Sequence, residues 1–159
     1  MEFFKELGNE MYVLLIAMVP LIELRGAIPV GIGLGLETWK ALLFGVIGSS
    51  IPAPFLILFF RKILEFMKKF EKLKFITDFL DNHIAKKTLK LKSAKAIGLY
   101  IFVAIPLPST GAYTGSILAS IFNMRLKEAL PPIILGNLTA GLIMTFFSKL
   151  FFWLRTLKF

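Results

Sequence analysis

Uncharged runs of unequal length, joined by short polar links, set the pattern of this chain. Met11–Ile22 carries 12 residues without a charge and Gly26–Leu36 carries 11. Ala41–Phe60 carries 20, Ala96–Met124 carries 29 and Ala129–Ser148 carries 20. A helix rising 1.5 Å per residue needs about 20 apolar residues to cross a hydrocarbon core of ~30 Å. Ala41–Phe60 and Ala129–Ser148 therefore each fit one crossing. The two shorter runs rise only roughly 15–18 Å, about half-way through. Ala96–Met124 is too long for one comfortable span, and its middle reads "IPLPSTGAYTG". Pro106 and Pro108 stop a helix there, because each lacks an N–H and restricts the residue before it. Ser109, Thr110 and Gly111 suit a turn or the start of a new helix. In the first half, Pro20 and Pro29 flank the matching interruption and are expected to end two half-helices.

The pattern predicts an all-α integral membrane protein with two broken segments. Each broken segment reads as a re-entrant hairpin of half-length helices. Such backbone is tolerated at membrane depth only where protein or a water-filled cavity covers it. The halves resemble each other in order. "PLIELRGA" at 20–27 lies against "PLPSTGA" at 106–112, and "GSSIPAPFLILFF" at 48–60 against "GNLTAGLIMTFF" at 136–147. One membrane domain, 1–159, is expected, with repeat 1 at 9–62, a linker at 63–95 and repeat 2 at 96–150. A returning hairpin plus one crossing makes an odd number of crossings per half, which inverts the second repeat relative to the first. That is a transporter architecture with its site at the repeat interface. The alternative is a four-crossing chain whose hairpins span fully. It would place both termini beside the linker, as the basic end "KLFFWLRTLKF" favours.

Composition agrees with a bilayer. The chain of 159 residues is 57% hydrophobic and holds 17 Phe, more apolar surface than a soluble core of this size hides. The N-terminal "MEFFKELGNEMY" lacks a basic region and a cleavage site, so it reads as mature sequence and as a short interfacial helix with Phe3, Phe4 and Leu7 on one face. The net charge of +9 is uneven: Arg61–Lys95 holds 11 of the 19 Lys and Arg against four acids. The positive-inside rule places residues 61–95 in the cytoplasm. Its apolar residues recur at helical spacing between lysines, the mark of a basic amphipathic helix on the inner leaflet; a solvated linker is the plainer reading. The continuous Phe/Leu stripe argues against nucleic acid as a partner. Cysteine is absent and His83 is the single histidine, which excludes disulfides and thiolate or multi-histidine metal sites. No cofactor is expected. No phosphate-binding loop, nucleophile elbow or acid pair with a base is present, so neither ATP-driven transport nor an enzyme is expected.

The candidate chemistry lies at the breaks. Glu23 and Arg25 sit inside an apolar stretch, where a charge costs several kcal/mol unless paired or hydrated. Two residues apart, they diverge on a regular helix and converge only if the backbone is unwound. Glu23 is then a candidate proton carrier and Arg25 a bidentate anion binder; a structural salt bridge is the plainer reading. The second tip offers hydroxyls at Ser109, Thr110, Tyr113, Thr114 and Ser116, with Gly111 and free N–H groups at a half-helix start that attract anions. Asn137, with Ser49 and Ser50 at the matching place, is a candidate for lining the cavity or for interhelical hydrogen bonds. Gly45 and Gly115 read as close-packing positions.

"PLIELRGAIPVGIGLG", the basic linker and "FVAIPLPSTGAYTGSILAS" together resemble the small multidrug export protein family, which looks related to the DedA/VTT membrane proteins. The resemblance covers nearly the whole chain and implies paired re-entrant hairpins and a prokaryotic plasma membrane location. It also implies translocation of a drug or of a small amphipathic, lipid-phosphate substrate, with proton coupling. The DedA pattern has a glutamate in the first hairpin and arginines in the second. Here Glu23 matches, the second hairpin has no arginine, and Arg25 is the arginine at a tip. The sequence thus supports a secondary transporter or lipid-carrier translocase first. A cationic-drug/proton antiporter using Glu23 and a non-transporting, lipid-shaping scaffold carried by the linker are the alternatives. So few helices enclose a midplane cavity poorly, so a homodimer or higher homo-oligomer is expected, with membrane lipids as partners.

Overall fold

The computed structural model describes residues 2–70, 78, 92–107 and 110–156. Among these, seven α-helices form and no strand does: α1 (Glu2–Ala17), α2 (Glu23–Gly33), α3 (Thr38–Ser50), α4 (Pro52–Met67), α5 (Lys92–Ala104), α6 (Ala112–Ile121) and α7 (Leu126–Thr156). The larger part of the basic linker, with His83, lies outside the described residues, as do Pro108 and Ser109. α4 runs on to Met67 and α5 already starts at Lys92, so the helices extend into both ends of the stretch assigned to the linker.

α3 and α4 form one rod. Ile51 keeps helical dihedrals (φ −57°, ψ −44°) and donates its N–H to the Ile47 carbonyl at 3.0 Å. The seam exists because Pro52, at the first helical position of α4, has no N–H to give. Thr38–Met67 spans 30 residues with mean hydropathy 2.1, and α7 spans 31 with mean hydropathy 1.6. Both are long and apolar enough to cross a bilayer.

The apolar residues face outward as well as inward. Phe55 is 70% exposed, Phe146 66% and Trp153 58%, whereas Glu23, Ser49, Ser116, Ser120 and Asn137 are buried. This distribution suits hydrocarbon outside and a polar seam inside. The helix contacts are made by small residues. Ala53, Ala112, Ala119 and Ala129 join Ile57, Leu99, Val103, Met124 and Ile133 in a core between α4, α5, α6 and α7. Val13, Ala17, Ala27, Leu36 and Ala41 pack α1, α2 and α3 together. Leu24, Ile28 and Ala140 join α2 to α7. Without a hydrophobic drive between helices in lipid, close approach of this kind supplies the association energy. A Cβ at Gly48 would stand 2.3 Å from the Leu14 carbonyl oxygen, and one at Gly136 2.7 Å from Val103 Cβ. Each glycine lets its long helix lie on the first helix of its own half.

The turn that leads into each long helix repeats bond for bond. Leu34, Gly35 and Leu36 donate to Val30, Ile32 and Gly31 at 2.9, 3.0 and 3.0 Å. Phe122, Asn123 and Met124, 88 positions later, donate to Leu118, Ser120 and Ala119 at 2.8, 3.0 and 2.9 Å. Gly35 (φ +87°) and Asn123 (φ +51°) hold the left-handed position that such a helix end requires.

One expectation needs correction. Pro29 lies inside α2 and ends nothing. The break is upstream, at Met18–Ile22, with Pro20 in its turns. Pro29 removes the donor for the Arg25 carbonyl, and the helix continues because neighbouring helices and the remaining ladder hold it. Pro106 lies in the second break, after α5 has ended at Ala104.

Candidate functional site

The site forms where the two breaks meet. Glu23 opens α2 with φ +48°, a left-handed backbone that costs a non-glycine residue about 1–2 kcal/mol. That turn brings the side chains of Glu23 and Arg25 to one side. Arg25 Nη1 donates to Glu23 Oε2 at 2.7 Å. The residue pair that would diverge on a regular helix converges here because the helix begins at the carboxylate.

The second tip completes the set. Arg25 Nη2 donates to Thr110 Oγ1 at 2.7 Å and to the Ile105 carbonyl at 3.3 Å. Thr110 Oγ1 stands 2.7 and 2.8 Å from the Ile105 and Leu107 carbonyls. It accepts from the arginine while its own proton goes to one of those carbonyls. The Tyr113 N–H, one of the free donors in the first turn of α6, points at Glu23 Oε1 at 3.4 Å. The Tyr113 hydroxyl donates to the Met18 carbonyl in the first break. Each tip therefore holds the other's open backbone.

Gly111 makes the approach possible. Its φ of +150° suits glycine. A Cβ there would stand 2.0 Å from Glu23 Oε2 and 2.7 Å from Arg25 Nη1. Glu23 is only 5% exposed, and a cleft of about 160 Å³ opens beside it. Pro20, Leu21, Glu23, Arg25, Thr110, Tyr113 and Thr114 line that cleft.

Of the residues singled out in the sequence, Glu23, Arg25, Thr110, Gly111, Tyr113 and Thr114 thus share one locus. Asn137 does not line it; its Nδ2 donates to Ser50 Oγ at 3.1 Å, joining α7 to α3. Ser109 lies outside the described residues. Gly115 faces Val103 and Gly45 faces Ile28, both at closer than 3 Å for an added Cβ, so both are packing positions.

Several groups escaped sequence reading. The Met18 and Ile105 carbonyls enter through backbone geometry and have no side-chain signal. Ser116, expected at the tip, does not line the cleft but with the unforeseen Ser120 reaches from α6 to the Ala53 and Ile57 carbonyls of α4, at 3.4 and 3.1 Å. Their four-residue spacing on a small-residue face was the available clue. Among the described residues no three metal-binding side chains gather.

Chemically, the locus is an ion pair laid on a helix N-terminus. The carboxylate occupies the anion position that the half-charge and free N–H of α6 create. The guanidinium ties it to the same tip. An ion pair so placed is costly to bury; it rests on the contacts of the two Nη atoms of Arg25, whose Nε is buried without a partner among the described residues.

No curated protein and no solved structure matches the chain. The family described as "Putative small multi-drug export protein" matches residues 23–143, from the site glutamate to the middle of α7. The outward apolar surface, the two helices long enough to cross a bilayer and this match together point to a membrane protein of export type, helical among the described residues, and the chain belongs to the small multi-drug export protein family.

Proposed function

We propose that the protein is a small secondary transporter whose gate is the joint between the two tips. The carrying observation is the Glu23 carboxylate seated on the N-terminus of α6 and paired with Arg25. A substrate anion and Glu23 compete for the same donors. A proton on Glu23 frees Arg25 and the α6 N–H groups for the substrate; loss of the proton returns the carboxylate and expels it. The substrate is accordingly an amphipathic or anionic, lipid-like molecule, in keeping with the resemblance to DedA/VTT proteins, and the proton is the coupling ion.

The reading takes the two hairpins as re-entrant and inverted, and contacts at their open ends support it. Asn9 Nδ2 donates to the Leu34 carbonyl at 3.4 Å and Lys40 pairs with Glu10 at 3.1 Å, so the middle of α1 lies beside the end of α2 and the start of α3. Lys95 Nζ donates to the Phe122 carbonyl at 2.9 Å and Arg61 to the Met124 carbonyl, so α5 starts where α6 ends, beside the second half of α4. Gly33 lies against Phe152, at the far end of α7. Two hairpins entering from opposite faces and meeting tip to tip satisfy all these contacts, and two-fold switching between faces follows from that geometry.

The family description favours a second reading, export of cationic drugs. Glu23 would then exchange Arg25 for a lipophilic cation. Reconstituted vesicles under an imposed pH gradient distinguish the two. With a fluorescent polyprenyl phosphate as probe, the wild type moves it, and Glu23→Gln and Arg25→Gln each lose at least tenfold. With ethidium as probe, the antiporter reading requires Glu23→Gln to fail while Arg25→Gln still transports. Equal rates in all three proteins with both probes would remove Glu23 and Arg25 from the mechanism.

A further inference from the structure

A second polar cleft lies at the opposite end of α6 from the site. It encloses about 400 Å³, within the range of small-molecule sites, and is lined by Ser93, Lys95, Ala96, Asn123, Arg125 and Glu128, with Met124 at its base. Lys95 is 8% exposed. Its Nζ donates to the Phe122 carbonyl at 2.9 Å. Arg61 reaches the adjacent Met124 carbonyl from α4, and its Nε is buried without a partner among the described residues. Arg125 stands exposed at the rim. Among the described residues neither Lys95 nor Arg61 has a carboxylate at ion-pair distance.

The end of α6 accounts for part of this charge. A helix C-terminus carries about half a negative charge and favours cations within its last turn. Glu128 adds one carboxylate, and its Oε2 already accepts the Arg125 N–H at 3.2 Å. Among the described residues three cations stand against these two, a surplus of about one and a half positive charges; of the three, Lys95 is buried in the cleft, Arg125 is exposed at its rim and Arg61 lies behind it. Buried charges are retained where something neutralises them. One anionic group of a single negative charge, seated between Lys95 and Arg125 with Ser93 and Asn123 as further donors, meets that requirement. From this balance we infer that the cleft binds a phosphate group. Ile97 (58% exposed) and Ile101 (49%) follow on α5 at four-residue spacing, an apolar strip that an acyl chain attached to such a group would cover. Basic pockets between membrane helices hold lipid headgroups by this combination. The inference stands apart from the proposed transport, whose residues lie at the other end of α6.

The test uses the full chain in detergent, with lipid occupancy read by native mass spectrometry. The probes are phosphatidylglycerol, phosphatidylcholine and inorganic phosphate. The wild type retains phosphatidylglycerol. Arg125→Gln and Lys95→Gln each lower its occupancy about tenfold, the scale of one lost charge-assisted hydrogen bond. Lys127→Gln, an exposed cation of α7 outside the cleft, leaves it unchanged. Because Lys95 is buried, the exposed Arg125 variant decides the case if Lys95→Gln does not fold. Displacement of the lipid by inorganic phosphate identifies a free phosphate as the ligand; persistence of the lipid against it identifies the headgroup. Unchanged binding in Arg125→Gln, an equal drop in Lys127→Gln, or equal retention of phosphatidylcholine overturns the inference.

Discussion

The two tips occupy matching places in their halves, yet they share almost no chemistry. The first brings a carboxylate and a guanidinium on a strained backbone, with Glu23 at φ +48°. The second brings a glycine, a hydroxyl and a free N–H. The framework around them repeats closely, down to the paired turns at Leu34–Leu36 and Phe122–Met124. A repeated backbone thus positions two unlike tips so that each supplies what the other lacks. Charge alone would be too costly to bury, and buried donors alone would stay unsatisfied. Neither half contains the candidate site; the joint between them does.

The largest expected effect comes from unbalancing the charged tip. Arg25→Ala leaves Glu23 buried without its cation, and removing one partner of a buried pair costs about 3–5 kcal/mol. Unfolding in detergent micelles measures this. The double variant Arg25→Ala, Glu23→Gln should recover more than about 1 kcal/mol, because contacting groups couple by that order. Additive losses would mean that the two side chains do not depend on each other.

Next comes the uncharged tip. Gly111→Ala forces a Cβ to within 2.0 Å of Glu23 Oε2 at a φ of +150°, and the cost should be about 2–4 kcal/mol. Gly98→Ala is the contrast, since nothing lies within 4 Å of a Cβ there; in the interior of a helix it should match or exceed the melting temperature of the wild type. A tolerated Gly111→Ala would show that the tips do not meet this closely.

Smaller again is the tie between the breaks. Tyr113→Phe removes the hydroxyl donated to the Met18 carbonyl and should cost about 1 kcal/mol. Hydrogen exchange at Met18–Ile22 should rise in this variant while that of α7 stays constant. The smallest effect separates the matched turns. Gly35→Ala, at φ +87°, should lose about 1 kcal/mol. Asn123→Gly, at φ +51°, should change stability by a few tenths, because the two residues tolerate the same left-handed backbone. Equal losses at both turns would break the correspondence between the halves.

Much of the framework was readable from run lengths. Twenty apolar residues specify a rod that can cross a bilayer, and α3–α4 and α7 fill those positions. Charges inside an apolar run announce a locus, because their cost demands partners. Pro20 and Pro106 also lie at breaks, as a missing N–H and a restricted predecessor require. Pro29 shows the limit of that rule. Its local cost is the same as at Pro106, but the helix around it is held by packing on α3 and α7, and the chain absorbs one lost bond. Local chemistry says where a helix is weak; only its neighbours decide whether it breaks.

The amino-acid sequence by itself determined most of the helices, the two polar interruptions and the presence of two opposite charges that must find partners in an apolar setting. The tertiary structure alone decided who those partners are. Glu23 meets an N–H 90 residues away and Arg25 a hydroxyl 85 residues away, and Asn137 is taken into a helix contact with Ser50 instead. The reason is physical: burial and spacing are written in consecutive residues, whereas a hydrogen bond between two hairpin tips depends on how four helices stack, and no local pattern encodes that stacking.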